Sequence, residues 1–229
     1  MAELDPSIIA DTPLFQGLGA DVLRDVLKDA RSYRLARGEA VFAQGDAPDS
    51  FFLLLDGHLQ VVKITPTGQQ VVVRYVAAGE IFGVAVALGM RAYPASVVAT
   101  VDSVVIRWPS SAWGGMIQRC PPLAANMLQW AGSHITEAHT RVVEMSTEQV
   151  EKRVAHAILR LLKQSGKQTS EGVEIAFPIS RQDVAEMTGT TLHTVSRTLS
   201  AWERDGIVES GRQRIVVLQP ARLAALAEE

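Results

Sequence analysis

The sequence predicts an α+β protein with an N-terminal domain of short strands, a long central helix, and a C-terminal domain of helices and a hairpin. Three patterns support this prediction. Glycines recur at spacings of 7, 12, 11 and 11 from Gly38 to Gly79, as expected for turns between short strands. Apolar residues repeat every three or four positions from Ala124 to Met145. Two short helical patterns flank Gly189, and a hairpin pattern follows them.

The N-terminal domain is assigned to residues 1–120. Apolar residues at helical spacing in residues 14–27 predict one or two short amphipathic helices. β-Branched and aromatic residues dominate residues 32–108, and their turn spacing predicts a small β-barrel or sandwich. The expected strands are residues 40–44, 50–56, 58–64, 69–76, 80–82, 95–99 and 103–108.

A seven-residue apolar repeat predicts that the central helix, residues 121–146, pairs with a copy of itself. A helix buried within one domain is the alternative, although such a helix usually has a wider and less regular apolar stripe. Ser146 and Thr147 are expected to form a hinge, with Thr147 capping the next helix. The predicted seam consists of Ala124, Leu128, Ala131, Ile135, Ala138, Val142 and Met145.

The C-terminal domain is assigned to residues 147–229. A helix over residues 150–162, a polar loop over 165–172 and a strand over 173–177 precede two short helices. Ser180 is the expected N-cap of the first, with Asp183 three residues later. Gly189 supplies the turn, and Thr190 or Thr191 caps the second helix. The apolar residues of that second helix are Leu192, Val195, Leu199 and Trp202.

The two helices and their glycine turn predict a helix-turn-helix. The hairpin expected over residues 207–209 and 214–218 makes this a winged helix, and Pro220 begins a short terminal helix. Three motifs then carry a family resemblance: GDAPDSFFLLLDGHLQV (45–61), AAGEIFG (77–83) and TLHTVSRTLSAWERDGIV (191–208). Their order resembles the CRP/FNR family of bacterial transcription regulators over roughly residues 12–220.

This resemblance implies a cyclic-nucleotide-binding-like β-roll, a dimerisation helix and a DNA-binding winged helix. It implies a homodimer on near-palindromic double-stranded DNA, and RNA polymerase as a partner if the protein is an activator. A ligand-binding regulatory module, like those joined to kinases and channels, is the rival hypothesis. The β-roll alone permits that rival, whereas residues 179–218 argue against it.

The resemblance also implies which residues read bases. The family motif E-x-x-S/G-R matches His193, Ser196 and Arg197. The guanidinium of Arg197 suits the O6/N7 edge of guanine. His193 departs from the family glutamate, so the half-site is expected to differ. H-x-x-S-R resembles the NnrR branch, a relative of Dnr, which implies a response to nitric oxide and control of denitrification genes.

Several polar residues are candidates for phosphate contacts, which set register rather than sequence preference. The alternative for the two arginines on the wing is that they are ordinary solvent-exposed charges that do not contact phosphates. The candidates are Arg181, Gln182, Thr190, Thr191, Thr194, Arg212 and Arg214.

The cyclic AMP residues of the family are missing from the β-roll motif. Val84 stands where the resemblance implies a glutamate, and Arg91-Ala92 stands near the expected Arg-Ser pair. An uncharged pocket cannot compensate a cyclic phosphate, so cyclic AMP is not expected as the effector. An apolar lining suits haem or another apolar ligand, with packed core as the equal alternative. The expected lining is Phe82, Val84, Val86, Leu88, Met90, Tyr93, Val97, Met127 and Trp130.

Haem would need an axial ligand, for which the candidates are His58, His134, His139, His156 and Cys120. The heptad register also places His134 opposite His139 of the partner subunit, as a metal- or pH-sensitive clasp. Two solvated histidines are the alternative.

Composition excludes several classes of protein. A single cysteine excludes an internal disulfide framework and a cluster held by four cysteines of one chain. The net charge of −3 means that DNA affinity must come from a few well-placed cations. No signal-peptide pattern and no apolar run of about 18 residues is found, so a cytoplasmic location without membrane contact is expected. The absence of a P-loop, G-x-S-x-G or H-E-x-x-H motif argues against an enzyme.

Overall fold

A computed structural model describes residues 4–228, so the outer ends of the two assigned domains, residues 1–3 and 229, lie outside it. The chain divides into two compact units. The first contains the chain as far as Ile64 together with Arg74–Ala138, and the second contains Thr65–Val73 and the chain from His139 onward. None of the helices within residues 4–228 has the length and hydropathy required to span a membrane.

Short strands dominate the first unit, as the glycine spacing predicts. They follow two helices, α1 (Ser7–Ala10) and α2 (Ala20–Leu27), and form two four-stranded sheets. The strand orders are β1-β8-β3-β6 and β2-β7-β4-β5. The strands are β1 (Arg31–Leu35), β2 (Ala40–Phe42), β3 (Ser50–Asp56), β4 (Leu59–Ile64), β5 (Gln70–Val76), β6 (Ile81–Phe82), β7 (Ser96–Ala99) and β8 (Ser103–Pro109).

Two apolar cores stabilise this unit, one on each face of β3. On one face the ring of Phe51 stacks on Trp108 at 5.4 Å and meets Trp113 edge-on. The indole Nε1 of Trp108 donates to the carbonyl of Val26, which fastens α2 to the sheet. On the other face Phe52 belongs to the second apolar cluster. Alternate residues of β3 therefore serve opposite cores, as a strand buried on both faces requires.

The sequence did not predict helix α1, strand β1 or helix α3 (Ala112–Arg119) of this unit. In β1 only Leu35 is buried, so its sequence has no apolar alternation; backbone pairing with β8 holds it instead. Within α3, Gly114 and Gly115 weaken the helical pattern.

Helix α4 (Pro121–Thr147) continues through the expected hinge, so the prediction that Thr147 caps the next helix is wrong. The hydroxyls of Ser146 and Thr147 donate to the carbonyls four residues earlier, as they do inside a helix. The following helix, α5 (Val150–Ser165), begins after Gln149 instead.

The second unit contains the winged helix. Its sheet has the order β11-β12-β10-β9. Strand β9 occupies part of the expected polar loop 165–172, because it pairs with β10 through its backbone while its side chains stay exposed. The elements after α5 are β9 (Gly166–Gln168), β10 (Val173–Ile175), α6 (Arg181–Thr188), α7 (Leu192–Arg204), β11 (Val208–Gly211), β12 (Arg214–Val217) and α8 (Pro220–Glu228).

The turn between β3 and β4 depends on Gly57, which we expect to be irreplaceable. Its φ is +94°, and an added Cβ would lie 2.8 Å from the carbonyl oxygen of Asp102 and also collide with Ser103. Gly57→Ala should therefore lower the free energy of unfolding by about 2 kcal/mol more than Gly38→Ala. Gly38 is the matched control, because its φ is +84° and no atom lies within 4 Å of its added Cβ. Equal losses in urea titrations of the two variants would contradict this account.

Candidate nucleic-acid interface and ligand cavity

Local hydrogen bonds fix the turn between α6 and α7. Ser180 and Asp183 form a capping box, in which the amide of Asp183 donates to Ser180 Oγ at 3.1 Å and the amide of Ser180 donates to Asp183 Oδ2 at 2.7 Å. Gly189 ends α6 at φ +61°. Thr191 then caps α7 by accepting from the amide of Thr194 at 3.2 Å. The direction of α7 is therefore set by caps at both ends of the turn.

The exposed face of α7 carries the residues expected to read bases. His193 and Arg197 are exposed and Ser196 is half-buried, at positions one turn apart on the helix. Ser200 is exposed one further turn along, and sequence analysis missed it although its helical spacing from Ser196 was visible. Arg197 has no ion pair within residues 4–228.

Leu192 lies on the surface, which corrects the expectation that it belongs to the apolar side of α7. Its relative exposure is 47%. Val195, Leu199 and Trp202 are buried as expected. Leu192 is the first residue of α7 and lies just outside the core in which the other three apolar residues are buried.

Three of the polar phosphate candidates already have local partners. Thr191 and Thr194 bond to each other through their hydroxyls at 3.0 Å. Gln182 is exposed and donates to Glu186 at 2.9 Å, and Thr190 is half-buried. The three threonines lie at or next to the α6–α7 turn, whereas Gln182 lies in the first turn of α6.

Arg181 is half-buried, and its guanidinium already has two partners within the protein. Its Nη2 donates to Ser210 Oγ at 2.6 Å and to Glu203 Oε1 at 3.3 Å. Glu203 lies on α7 and Ser210 on β11. Arg181 therefore positions the recognition helix and the wing.

The two wing arginines differ. Arg214 forms ion pairs with Glu174 at 3.1 Å, Glu209 at 3.0 Å and Glu171 at 3.4 Å, and the hydrogen bond to Glu174 is the main cause of its raised pKa. Arg212 is exposed at the turn of the hairpin and has no ion pair within the described part of the chain. Of the two, only Arg212 offers an uncompensated charge.

A cavity of about 150 Å³ lies in the first unit. It is enclosed by β-roll residues and by one side of α4. Seven of the nine expected residues line it, and the sequence did not indicate the contributions of Phe42, Val61 and Arg74. The lining is Phe42, Val61, Arg74, Phe82, Gly83, Val84, Ala85, Leu88, Met90, Tyr93, Pro94, Ala95, Val97 and Trp130.

Val86 and Met127 do not line this cavity, which corrects two expectations. Val86 is 41% exposed and faces a separate crevice beside Trp113. Met127 is buried in the core that α4 shares with the N-terminal helices, and Trp130 packs against that same core while also lining the cavity.

The expectation of an uncharged cavity is wrong, because Arg74 is part of its wall. Arg74 donates to Glu80 Oε2 at 2.6 Å, and the pair is largely buried. Burial, followed by the charge of Arg74, lowers the pKa of nearby His134. The wall of the cavity therefore carries a cation that the carboxylate of Glu80 compensates.

The residues present do not fit haem. None of the five candidate axial ligands lines the cavity. His134 packs its ring 4.1 Å from that of Trp130, with Nδ1 2.9 Å from the Trp130 carbonyl, while His139 is exposed on α4.

Two parts of the chain match known protein domains. A profile of the Crp-like helix-turn-helix domain matches residues 152–226, and a profile of the cyclic nucleotide-binding domain matches residues 33–120. The chain is a regulator of the CRP/FNR family. The nitrogen fixation regulation protein FixK of Bradyrhizobium diazoefficiens is 28% identical over 96% of this chain and 91% of its own length. The cyclic AMP receptor protein of Thermus thermophilus is 28% identical over 94% of this chain and 97% of its own length.

Solved structures of the CRP/FNR type share the fold. The structure of FixK2 from Bradyrhizobium japonicum covers 86% of this chain and 96% of its own, with a TM-score of 0.76 at 21% identity. The β-roll and winged helix expected from the sequence are thereby confirmed. This CRP/FNR regulator is accordingly a DNA-binding transcription regulator.

The lining of the cavity, which includes none of the five candidate axial ligands, predicts that this CRP/FNR regulator will not bind haem. Protein produced with haem available, and purified protein titrated with haem, should show no Soret band shifted from that of free haem. His134→Ala serves as the comparison. A shifted Soret band that is lost in His134→Ala would contradict the prediction and would identify His134 as the axial ligand.

Proposed function

We propose that this protein is a homodimeric, sequence-specific transcription regulator that reads near-palindromic DNA and responds to a small effector other than cyclic AMP. The observation that carries the proposal is the exposed, unpaired Arg197 beside His193 and Ser196 on a helix capped at its first turn. An exposed arginine at this place on a helix-turn-helix is suited to a base edge in the major groove.

Each side chain on that face suggests a different contact. The planar fork of Arg197 matches the two acceptors of guanine, and Ser196 can donate to or accept from a base edge. A neutral His193 can donate or accept at a ring nitrogen, whereas a glutamate can only accept. The exposed Leu192 adds an apolar surface suited to a thymine methyl group. The proposed half-site therefore combines one guanine with neighbours that His193 and Leu192 select.

The surface of α4 supports a dimer. Leu128, Ile135 and Val142 are 74%, 57% and 63% exposed in the single chain, although all three are large and apolar. They recur every seven residues, which is the spacing of a helix that pairs with a second copy. The wholly buried helix that the sequence allowed as an alternative would not leave them exposed. Two copies would present two recognition helices to half-sites about one turn of DNA apart.

The H-x-x-S-R motif supports a narrower proposal, that the target genes include those for nitrogen-oxide metabolism. A relative that matches nearly the whole chain is itself a nitrogen fixation regulation protein. Nitric oxide bound through haem is not part of the proposal, because the cavity does not fit haem. If the protein activates transcription, RNA polymerase is the expected further partner.

Arg197→Ala tests base reading. It should cost about 1–3 kcal/mol per half-site on the preferred inverted repeat and relax the choice of base at one position. A mobility-shift assay with specific and random duplexes measures both effects. Arg212→Ala is the matched control, because it should weaken both duplexes about equally and reduce the salt dependence by about one charge. Equal losses for Arg197→Ala on both duplexes would overturn the assignment.

Ile135→Glu tests the dimer seam. A charge at a central seam position would be buried without a partner, so the variant should sediment as a monomer and lose binding to the full inverted repeat. Gln129→Glu is the control, because Gln129 is exposed on α4 outside the seam and should leave the dimer intact. If Ile135→Glu remains a dimer by analytical ultracentrifugation, the seam is elsewhere.

A further inference from the structure

We infer that Glu203 is a positioning residue for base reading. Its carboxylate fixes the direction of the recognition helix α7 relative to α6 and the wing, and that direction aims the guanidinium of Arg197 at its base. The inference rests on the proposed function, in which Arg197 reads a base. It adds that sequence preference depends on an acidic side chain at the opposite end of the helix from the proposed base contacts.

The carboxylate of Glu203 accepts three hydrogen bonds from two other elements. The amide and the hydroxyl of Ser210, on β11, donate to its Oε1 at 3.0 Å and 2.5 Å, and Arg181 Nη2, on α6, donates to the same oxygen at 3.3 Å. Arg181 Nη2 also donates to Ser210 Oγ at 2.6 Å, which closes a ring of bonds among the three residues. Hydrogen bonds to ionised groups are stronger than those between neutral groups. The side chains of Glu203 and Arg181 are each only 30% exposed, so solvent screens the ring incompletely.

A second hydrogen bond holds the turn of the wing. The carbonyl of Gln213 accepts from the amide of Ile179 at 3.3 Å, directly before the N-cap of α6. Gln213 has a φ of +58°, a left-handed conformation that is uncommon for residues other than glycine. With Ser210 held by Glu203 and Gln213 held by Ile179, the wing is fixed to α6 and α7 at two points.

The position of Glu203 on α7 gives its bonds leverage over Arg197. Glu203 lies in the last turn of α7, and Arg197 lies about 9 Å earlier along the helix axis. A tilt of roughly 10° about the Glu203 end would move the backbone of Arg197 by about 1.5 Å at that separation. A guanidinium fork bonds to guanine only if both donor–acceptor distances stay near 2.9 Å. A small tilt is therefore enough to break one of the two bonds.

Apolar packing leaves the direction of α7 less well defined. Val195, Leu199 and Trp202 bury the other side of the helix, and the hydrophobic effect is non-directional. Hydrogen bonds, in contrast, weaken steeply away from their preferred angle. Glu203 therefore supplies directional contacts at the C-terminal end of α7, as the Thr191 cap does at the N-terminal end.

The charge of Glu203 separates a positioning role from a direct electrostatic one. Removing a negative charge reduces repulsion from phosphates and strengthens binding to every duplex alike. Loss of the correct direction of α7 weakens binding to the preferred site, whereas random DNA is bound without a fixed register of base contacts. Selectivity, the ratio of the affinities for the preferred and the random duplex, therefore reports position rather than charge.

The experiment measures the selectivity of full-length variants by mobility shift on the preferred inverted repeat and on a random duplex. Glu203→Gln keeps the size of the side chain and removes its charge. Its selectivity should fall by about three- to tenfold per half-site, which is part of the loss expected when the Arg197 contact is absent.

Glu209→Gln is the charge-matched control. Glu209 lies on the same wing strand as Ser210 but pairs with Arg214, which keeps two other glutamate partners. The control removes the same charge from the same domain without touching the ring of bonds around Glu203. Its selectivity should equal that of the parent.

Two further variants separate positioning from loss of fold. Ser210→Ala removes the hydroxyl but keeps the amide bond to Glu203, so its selectivity should fall by less than that of Glu203→Gln. In the double variant Arg197→Ala/Glu203→Gln, the loss should be smaller than the product of the single losses, because Glu203 acts largely through Arg197. A loss of folded protein would lower both affinities equally and leave selectivity unchanged. Circular dichroism checks that each variant is folded.

The inference is overturned if folded Glu203→Gln keeps the selectivity of the parent, if Glu209→Gln loses as much, or if the double variant loses the full product. If Glu203→Gln does not fold, Ser210→Ala decides, and parental selectivity in that variant rejects the positioning role. Parental selectivity in Arg197→Ala would reject base reading and this inference together. Loss of selectivity in Arg197→Ala alone would uphold base reading and reject only the role of Glu203.

Discussion

The carboxylate of Glu203 holds together the three elements on which DNA recognition depends. From the last turn of α7 it accepts from the amide of Ser210 at 3.0 Å, from the hydroxyl of Ser210 at 2.5 Å and from Arg181 at 3.3 Å. The wing and α6 are thereby fixed to the recognition helix by one half-buried charge. Removing any donor would leave that charge less well paired, which is costly in a partly buried site.

Internal pairing engages two arginines that lie close to the recognition helix. Three glutamates surround Arg214, and Arg181 is paired with Glu203. The net charge of the whole chain is −3. Affinity for DNA must therefore come from the placement of the remaining cations, from helix N-termini, and from the doubling of these contacts in a dimer.

Features set by local chemistry were predictable from the sequence, and features set by pairing across the fold were not. The capping box at Ser180 and the left-handed Gly189 need only neighbouring residues, so the helix-turn-helix was located correctly. Strand β3 was assigned with the right limits because its apolar run is continuous. All three residues of strand β9 are exposed, and only pairing with β10 makes this segment a strand. Arg74 lines the cavity from β5, and the residue pattern of that strand does not indicate which of its two faces lines the cavity.

The position of Trp130 on α4 connects the cavity to the proposed dimer seam. Trp130 lines the cavity and precedes Ala131, which is one of the seam residues, on the same helix. Its side chain also packs against His134. The seam and the cavity therefore occupy adjacent faces of one continuous helix. An effector can shift the dimer only as far as its affinity differs between two packings of α4.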